Sequence, residues 1–375
     1  MVDEERKNVP EMNASEQSTP EVVLDVQNLS VGFVVRGKKI NVIRNIDLKV
    51  YKGETLAIVG ESGSGKSVTT KTFTGMLDSN GRVTNGHIYF HGEDIAQYTT
   101  NKEWQPIRGK KIATIFQDPM TSLNPLLTIG FQISEVLRLH HGLSHKEAKE
   151  EAIRLLKKVH IPNAERRYSD YPFQYSGGMR QRVVIAIALA CRPEILICDE
   201  PTTALDVTVQ AQILSLIKEL QEEYHWTTIF ITHDLGVVAN IADRIAVMYG
   251  GQIVEYGTAE DIFYRPAHPY TWALLCSLPQ LGTKEEPLSY IKGNPPSFSS
   301  EIIGDAFAPR NEYAMNIDFL KEPPMFQISP THCAKTWLLD PRAPKVQKPK
   351  VIEDLHNRMK TAAKELKRQE GLENE

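Results

Sequence analysis

The chain has 375 residues, with 43 Lys and Arg against 47 Asp and Glu and a formal charge of −4, so no basic surplus favours a nucleic-acid backbone as partner. Its length can bury a sizeable core, in one large domain or in two to three smaller ones. No apolar run approaches the roughly 18 residues of a membrane-spanning helix, and "MVDEERKNVPEMNASEQSTP" lacks the apolar core of a signal peptide, which predicts a chain made and kept in the cytosol.

Residues 1–20 are polar, charged and aperiodic, and are expected to form a disordered tail. The fold is expected to begin at Glu21, with "LSVGFVV" alternating as a strand and "TLAIV" reading as a buried one. Directly after it comes "GESGSGKS", from Gly60 to Ser67, and then "SVTTKTFTGML", which reads as a helix whose N-terminus faces that loop. Three glycines, a lysine and a serine in eight residues suit a phosphate cradle. Small residues let consecutive N–H groups turn towards an anion, Lys66 reaches the terminal phosphates, and Ser67 offers its hydroxyl to Mg²⁺. "GRVTNGHIYFHG" carries an Asn-Gly hairpin signal, and "KIATIF" is another short strand.

From about Ile129 to Tyr168 the period becomes helical, with Ser144 and Glu147 forming a capping box for a second helix. In "QYSGGMRQR", Ser176, Gly177 and Gly178 precede the apolar run "VVIAIALAC" and form a second helix N-terminus able to meet an anion. "EILICDEP" then reads as a buried strand delivering Asp199 and Glu200 at its C-terminal end, the edge where ligands bind in open α/β sheets. Asp199 is placed to hold Mg²⁺ and Glu200 to accept a proton from water. Strands continue as "TTIFIT", "RIAVMY" and "GGQIVEY", and the alternation with helices predicts a largely parallel α/β core.

After about Tyr264 the texture changes to "YRPAHPYTWALLCSLPQL" and the proline-rich "IKGNPPSF" and "KEPPMFQISP", which predicts a second, smaller, loop-rich unit. The expected organisation is a tail over 1–20, a nucleotide-binding domain over 21–264 with a helical subdomain over about 118–190, an extension over 265–350, and a charged tail over 351–375. Cys191, Cys198, Cys276 and Cys333 lie far apart without a C-x-x-C pair, which indicates neither a zinc site nor a disulfide framework but reduced, mostly buried thiols.

Taken together, the P-loop, Gln117 in "IFQDP", "YSGGM", "EILICDEP", "PTTALD" ending at Asp206, and "ITHD" with His233 resemble, in this order, the ATP-binding subunits of ABC transporters. Tyr175 and Met179 depart from the commonest signature, which starts with Leu and ends with Gln. That resemblance implies an α/β P-loop ATPase core with a helical insertion and assigns roles. Gly60, Glu61, Ser62, Gly63, Ser64, Gly65, Lys66, Ser67 and Val68 hold the phosphates of ATP, and Ser67, Gln117 and Asp199 surround Mg²⁺. Glu200 polarises water, with Lys66, Gln117 and His233 completing the catalytic set. Phe33 is the aromatic expected to stack on adenine. Ser176, Gly177, Gly178 and Met179 serve the ATP of a second cassette, and Asp206 communicates across the interface.

The motif context and "RPAHPYTWALLCSLPQL" are similar to the oligopeptide and dipeptide importer ATPases, most of all the D-type subunits of Gram-positive oligopeptide permeases. This implies ATP hydrolysis coupled to oligopeptide uptake, at the cytoplasmic face of the plasma membrane. The implied partners are a second, F-type ATPase subunit, two integral membrane permease subunits and an extracellular peptide-binding lipoprotein, with no nucleic acid. A dipeptide, nickel or glutathione importer is the alternative, and a soluble repair or translation ATPase a remote one. Many relatives bind an iron–sulfur cluster in the extension through cysteines. Here Asp305 and Asn311 stand at two of those positions, so no cluster is expected.

Overall fold

Leu56 and Ile58 on one face of a five-residue strand, and Ala57 and Val59 on the other, are all buried, which marks that strand as the middle of a sheet covered on both sides. The structure, a computed structural model, describes residues 20–203, 205–281 and 290–355. The tail expected over 1–20 falls outside them except for Pro20, as does the charged tail beyond residue 355.

Twelve strands run in chain order: β1 (Val22–Val35), β2 (Lys38–Tyr51), β3 (Thr55–Val59), β4 (Gly81–Phe90), β5 (Glu93–Asp94), β6 (Ile112–Ile115), β7 (Ile195–Asp199), β8 (Thr227–Thr232), β9 (Arg244–Tyr249), β10 (Gln252–Thr258), β11 (Phe326–Gln327) and β12 (Cys333–Ala334). An antiparallel sheet has the order β2-β1-β4-β5, and a mixed sheet the order β11-β12-β10-β9-β3-β8-β7-β6. Within the second, β9, β3, β8, β7 and β6 are mutually parallel. This is the α/β core that alternating strands and helices require.

The helices that position the site are α1 (Lys66–Phe73), α2 (Ile129–His141), α3 (His145–Lys158), α4 (Gly177–Cys191), α5 (Val207–Tyr224) and α6 (Pro269–Cys276). Helix α3 starts on the Ser144–Glu147 capping box with both reciprocal bonds made, and α2 ends on Gly142 in the left-handed conformation. Leu56, Ile58, Ile195 and Ile197 point towards the antiparallel sheet, while Leu196, Cys198 and Phe230 face a core shared with α2, α3, α4 and α5.

One expectation needs correction. The Asn85-Gly86 pair makes no hairpin. It lies inside β4, where the β1 register slips, and a Cβ on Gly86 would stand 2.4 Å from the Asn28 carbonyl oxygen. The dipeptide signal marks a bulge there; the hairpin turn falls instead at His91-Gly92, between β4 and β5, both residues with positive φ. The segment after Tyr264 encloses no separate core among the described residues. Tyr270, Trp272, Leu275 and Phe307 pack on Ala57, Val59, Ile245 and Val247 of the main sheet, and β12 pairs with β10. Each such buried side chain contributes about 1.5–3 kcal/mol, so the extension is welded to the face behind the P-loop.

Candidate nucleotide site

The loop between β3 and α1 turns on glycines that no other residue replaces easily. A Cβ at Gly60, with φ +154°, would sit 2.1 Å from the Met248 carbonyl oxygen, and one at Gly65, with φ +105°, would meet Ile43 at 2.6 Å. Lys66 opens α1 and is 4 % exposed. Its ammonium folds back to donate to the carbonyls of Gly60 at 2.7 Å and Glu61 at 3.0 Å, and lies 3.9 Å from the Glu200 carboxylate. Burial lowers its pKa, with Glu200, Asp199 and Glu61 opposing. The next residue, Ser67, donates its hydroxyl to Asp199 Oδ1 at 2.8 Å. Burial pushes the Asp199 carboxyl above the usual range, opposed by that hydroxyl.

Glu200 directly follows β7 with φ +45°, a strained conformation for a non-glycine residue, stored here at the sheet's C-terminal edge. Its Oε2 accepts from Gln117 Nε2 at 3.2 Å and from the Thr203 hydroxyl at 3.0 Å, and His233 Nδ1 stands 3.4 Å away. Residues far apart in the chain thus converge on one carboxylate because β3, β6, β7 and β8 are parallel neighbours that end at the same edge.

Lys66, Ser67, Gln117, Glu200, Thr203 and His233 line a cavity of about 780 Å³ with Glu61, Ser62, Gly63, Gly65 and Val68. Its remaining walls are Val42, Leu274 and Phe298, three residues that sequence reasoning missed. Phe298 sits in the proline-rich extension, where no local pattern distinguishes it. Phe33, expected at the adenine, does not line this cavity; it is half-buried over Gly81 against the core beneath the antiparallel sheet. Gly60, Ser64 and Asp199 also stand behind the lining. A larger groove of about 1220 Å³, between β2 and Glu322–Pro324, carries no phosphate loop. The chemistry of the walls therefore selects the smaller one.

Ser176, Gly177, Gly178 and Met179 do not line this cavity. Ser176 caps α4 by accepting from the Met179 N–H, and both it and Gly177 are exposed. Asp206 caps α5 through the Val209 N–H, and Val209 packs on Gly178.

A family model described as "ABC transporter" matches residues 43–203, and one described as "Oligopeptide/dipeptide transporter, C-terminal region" matches residues 254–317. The chain is 62 % identical over 339 residues to the oligopeptide transport ATP-binding protein AmiE of Streptococcus pneumoniae, covering 90 % of this chain and 96 % of that protein. The chain belongs to the ATP-binding subunits of oligopeptide and dipeptide ABC transporters. It is also 56 % identical to the dipeptide transport ATP-binding protein DppD of Lactococcus lactis, covering 87 % of this chain and 93 % of that protein. With the oligopeptide transport ATP-binding protein OppD of Bacillus subtilis the identity is 54 %, covering 88 % of this chain and 92 % of that protein.

Among solved structures it resembles the dimeric post-hydrolysis ATP-binding cassette MJ0796 bound to ADP and Pi, with TM-score 0.56 and 30 % identity over 63 % of this chain and 98 % of that one. A second is cbiO1 of Clostridium perfringens, with TM-score 0.57 and 27 % identity over 65 % of this chain and 92 % of that one. The chain is therefore an ABC ATPase subunit of the kind that works with membrane permeases. No described helix is long and apolar enough to cross a membrane.

Proposed function

We propose that this subunit hydrolyses ATP to drive import of oligopeptides, from the cytoplasmic face of the plasma membrane. The observation that carries the reading is one cavity joining the P-loop to Gln117, Glu200 and His233, in a chain whose extension matches the oligopeptide and dipeptide transporter region. In the reaction, the amides from Ser62 to Ser67 and the Lys66 ammonium bind the phosphates. The ammonium exchanges its two carbonyl partners for phosphate oxygens. Glu200, held by Gln117 and Thr203, takes the proton of the attacking water, and His233 contacts the γ-phosphate.

The Ser67 hydroxyl, the Asp199 carboxylate and the Gln117 amide oxygen are hard oxygen donors that suit Mg²⁺. When bound, Mg²⁺ neutralises charge that develops on the β- and γ-phosphates. Phe33 is assigned to adenine by family resemblance, with Phe298 as the aromatic nearer the cavity. The extension is read as free of an iron–sulfur cluster. Asp305 and Asn311 accept backbone N–H bonds from Phe307 and Tyr313, the work of turn-forming side chains.

A second cassette, two membrane permeases and an extracellular peptide-binding protein complete the machine. The segment 117–128 links the site to the helical region and exposes Met120 and Leu126, the latter 82 % exposed. This supports a groove for a permease helix, and Leu126→Asp should lower uptake while ATP binding stays intact. Dipeptide import is the second reading, favoured by the similarity to DppD.

Uptake of labelled peptides of graded length, in cells expressing Lys66→Ala in place of the native chain, tests the assignment. The expected result is loss of tetra- to hexapeptide uptake. Retained uptake of these with loss of dipeptide uptake would overturn the oligopeptide reading.

A further inference from the structure

Glu61, the second residue of the P-loop, has three polar handles, and two of them are gripped from the extension. Its N–H donates to the Tyr270 hydroxyl at 2.8 Å. Its carboxylate takes a two-pronged ion pair from Arg310, 2.5 Å from Nη1 and 3.0 Å from Nη2. The third handle, its carbonyl, accepts from the Lys66 ammonium at 3.0 Å. Tyr270 and Arg310 thus hold, through its backbone N–H and its side chain, the residue whose carbonyl binds the phosphate-binding lysine.

The grip has little slack. The Arg310 side chain is 5 % exposed, and its guanidinium also donates to the Lys292 carbonyl at 2.8 Å, the Ile291 carbonyl at 3.3 Å and the Tyr249 hydroxyl at 3.1 Å. Tyr249, Tyr270 and Phe307 form a mutually packed aromatic cluster with ring centroids 4.6–5.2 Å apart, which anchors both gripping residues to β9. A planar fork held by five donors' worth of geometry positions a carboxylate in a way that a lysine cannot.

We propose that Arg310 is a positioning residue of the ATP site: through Glu61 it presets the P-loop so that Lys66 and the loop amides meet the phosphates without reorganisation, making the extension a working part of the nucleotide site. The inference rests on reading the P-loop cavity as the nucleotide site. Losing the grip frees the Glu61 peptide and leaves its carboxylate, still near Lys66, without its counter-charge. The consequence is weaker binding of the triphosphate, since order once built in must be acquired on binding.

The test is Mg·ATP affinity, by titration calorimetry on the full chain, for the wild type, Arg310→Ala, Glu61→Gln and the double variant, with Lys66→Ala as a control. Arg310→Ala should weaken binding roughly tenfold. The double variant should be no weaker than the worse single one, because both remove one pair. Hydrogen exchange at residues 60–67 should quicken in Arg310→Ala while exchange in β7 and β8 stays unchanged, a local signature that general destabilisation would not produce. Arg310→Lys should recover part of the affinity. If Arg310→Ala does not fold, the cycle is run with Arg310→Lys. Wild-type affinity in the Arg310 variant, or losses that multiply in the double variant, would overturn the proposal. Absence of ATP binding by the wild type, or wild-type binding by Lys66→Ala, would instead strike the reading of the cavity.

Discussion

At Lys66 a helix begins deep in the molecule, with its first side chain 4 % exposed, its carbonyl partners on the preceding loop, and the extension braced behind it. At Gly177 another helix begins in the open, capped by Ser176, and among the described residues outside its own helix and chain neighbours Leu205 alone comes within 4 Å of where a Cβ would stand. Both ends present unpaired N–H groups to an anion, but only the first is enclosed by groups that can do chemistry. On the function proposed above, this chain would hold one site nearly whole and contribute a surface to that of a second cassette.

The largest expected effect breaks the enclosed end. Glu200→Gln keeps size and the bond from Thr203 but cannot take a proton. Turnover in the assembled transporter should fall by about 10² to 10⁴ with ATP binding retained, measured by steady-state ATPase and nucleotide titration. An unchanged rate would remove Glu200 from its role. Next comes the open end. Gly177→Val has room within the chain, so isolated protein should fold and bind ATP as the wild type does, yet turnover in the assembly should drop on the order of 10²-fold, because the partner's nucleotide meets a methyl group where N–H donors belonged. Reduced ATP binding by the isolated variant would mean the signature helix serves the chain's own site.

The bracing behind the enclosed end has a pH signature. Burial raises the Asp305 carboxyl to about 6, so the folded state keeps a proton that the unfolded chain releases between the ordinary aspartate range and that value. Stability from this group is therefore lost as pH rises through that window. Asp305→Asn should flatten the change by up to about 3 kcal/mol between pH 4 and 7, read by denaturant unfolding. Equal pH profiles for both proteins would refute the assignment. The smallest effect sharpens the open end: Met179→Gln restores a polar contact to the partner's nucleotide and should raise turnover about 2- to 10-fold. No change would show that the contact is not made at this position.

Much of this was legible in the sequence because phosphate chemistry is local. Eight consecutive residues make the cradle, and the apolar run before Asp199 announces a buried strand ending at the ligand edge. The parallel core and the capped helices follow from periodicity for the same reason. What the pattern could not convey is long-range. Arg310 and Glu61 are 249 positions apart, and nothing in "APRNEY" predicts a partner. Phe298 reaches the cavity only because the extension folds back over β9 and β10. The Asn85-Gly86 error has the same root: a dipeptide that permits positive φ serves a turn or a bulge equally, and the pairing of β4 with β1 decides which.

The claim that the two helix ends serve different nucleotides is tested most directly by measuring ATPase rate and molar mass on the same sample, by light scattering, for the chain alone and with a second cassette and permeases. The 42.3 kDa species should bind ATP but turn it over negligibly, with hydrolysis appearing only in assemblies that pair two cassettes. Hydrolysis by the 42.3 kDa species at the rate of the assembled transporter would contradict it.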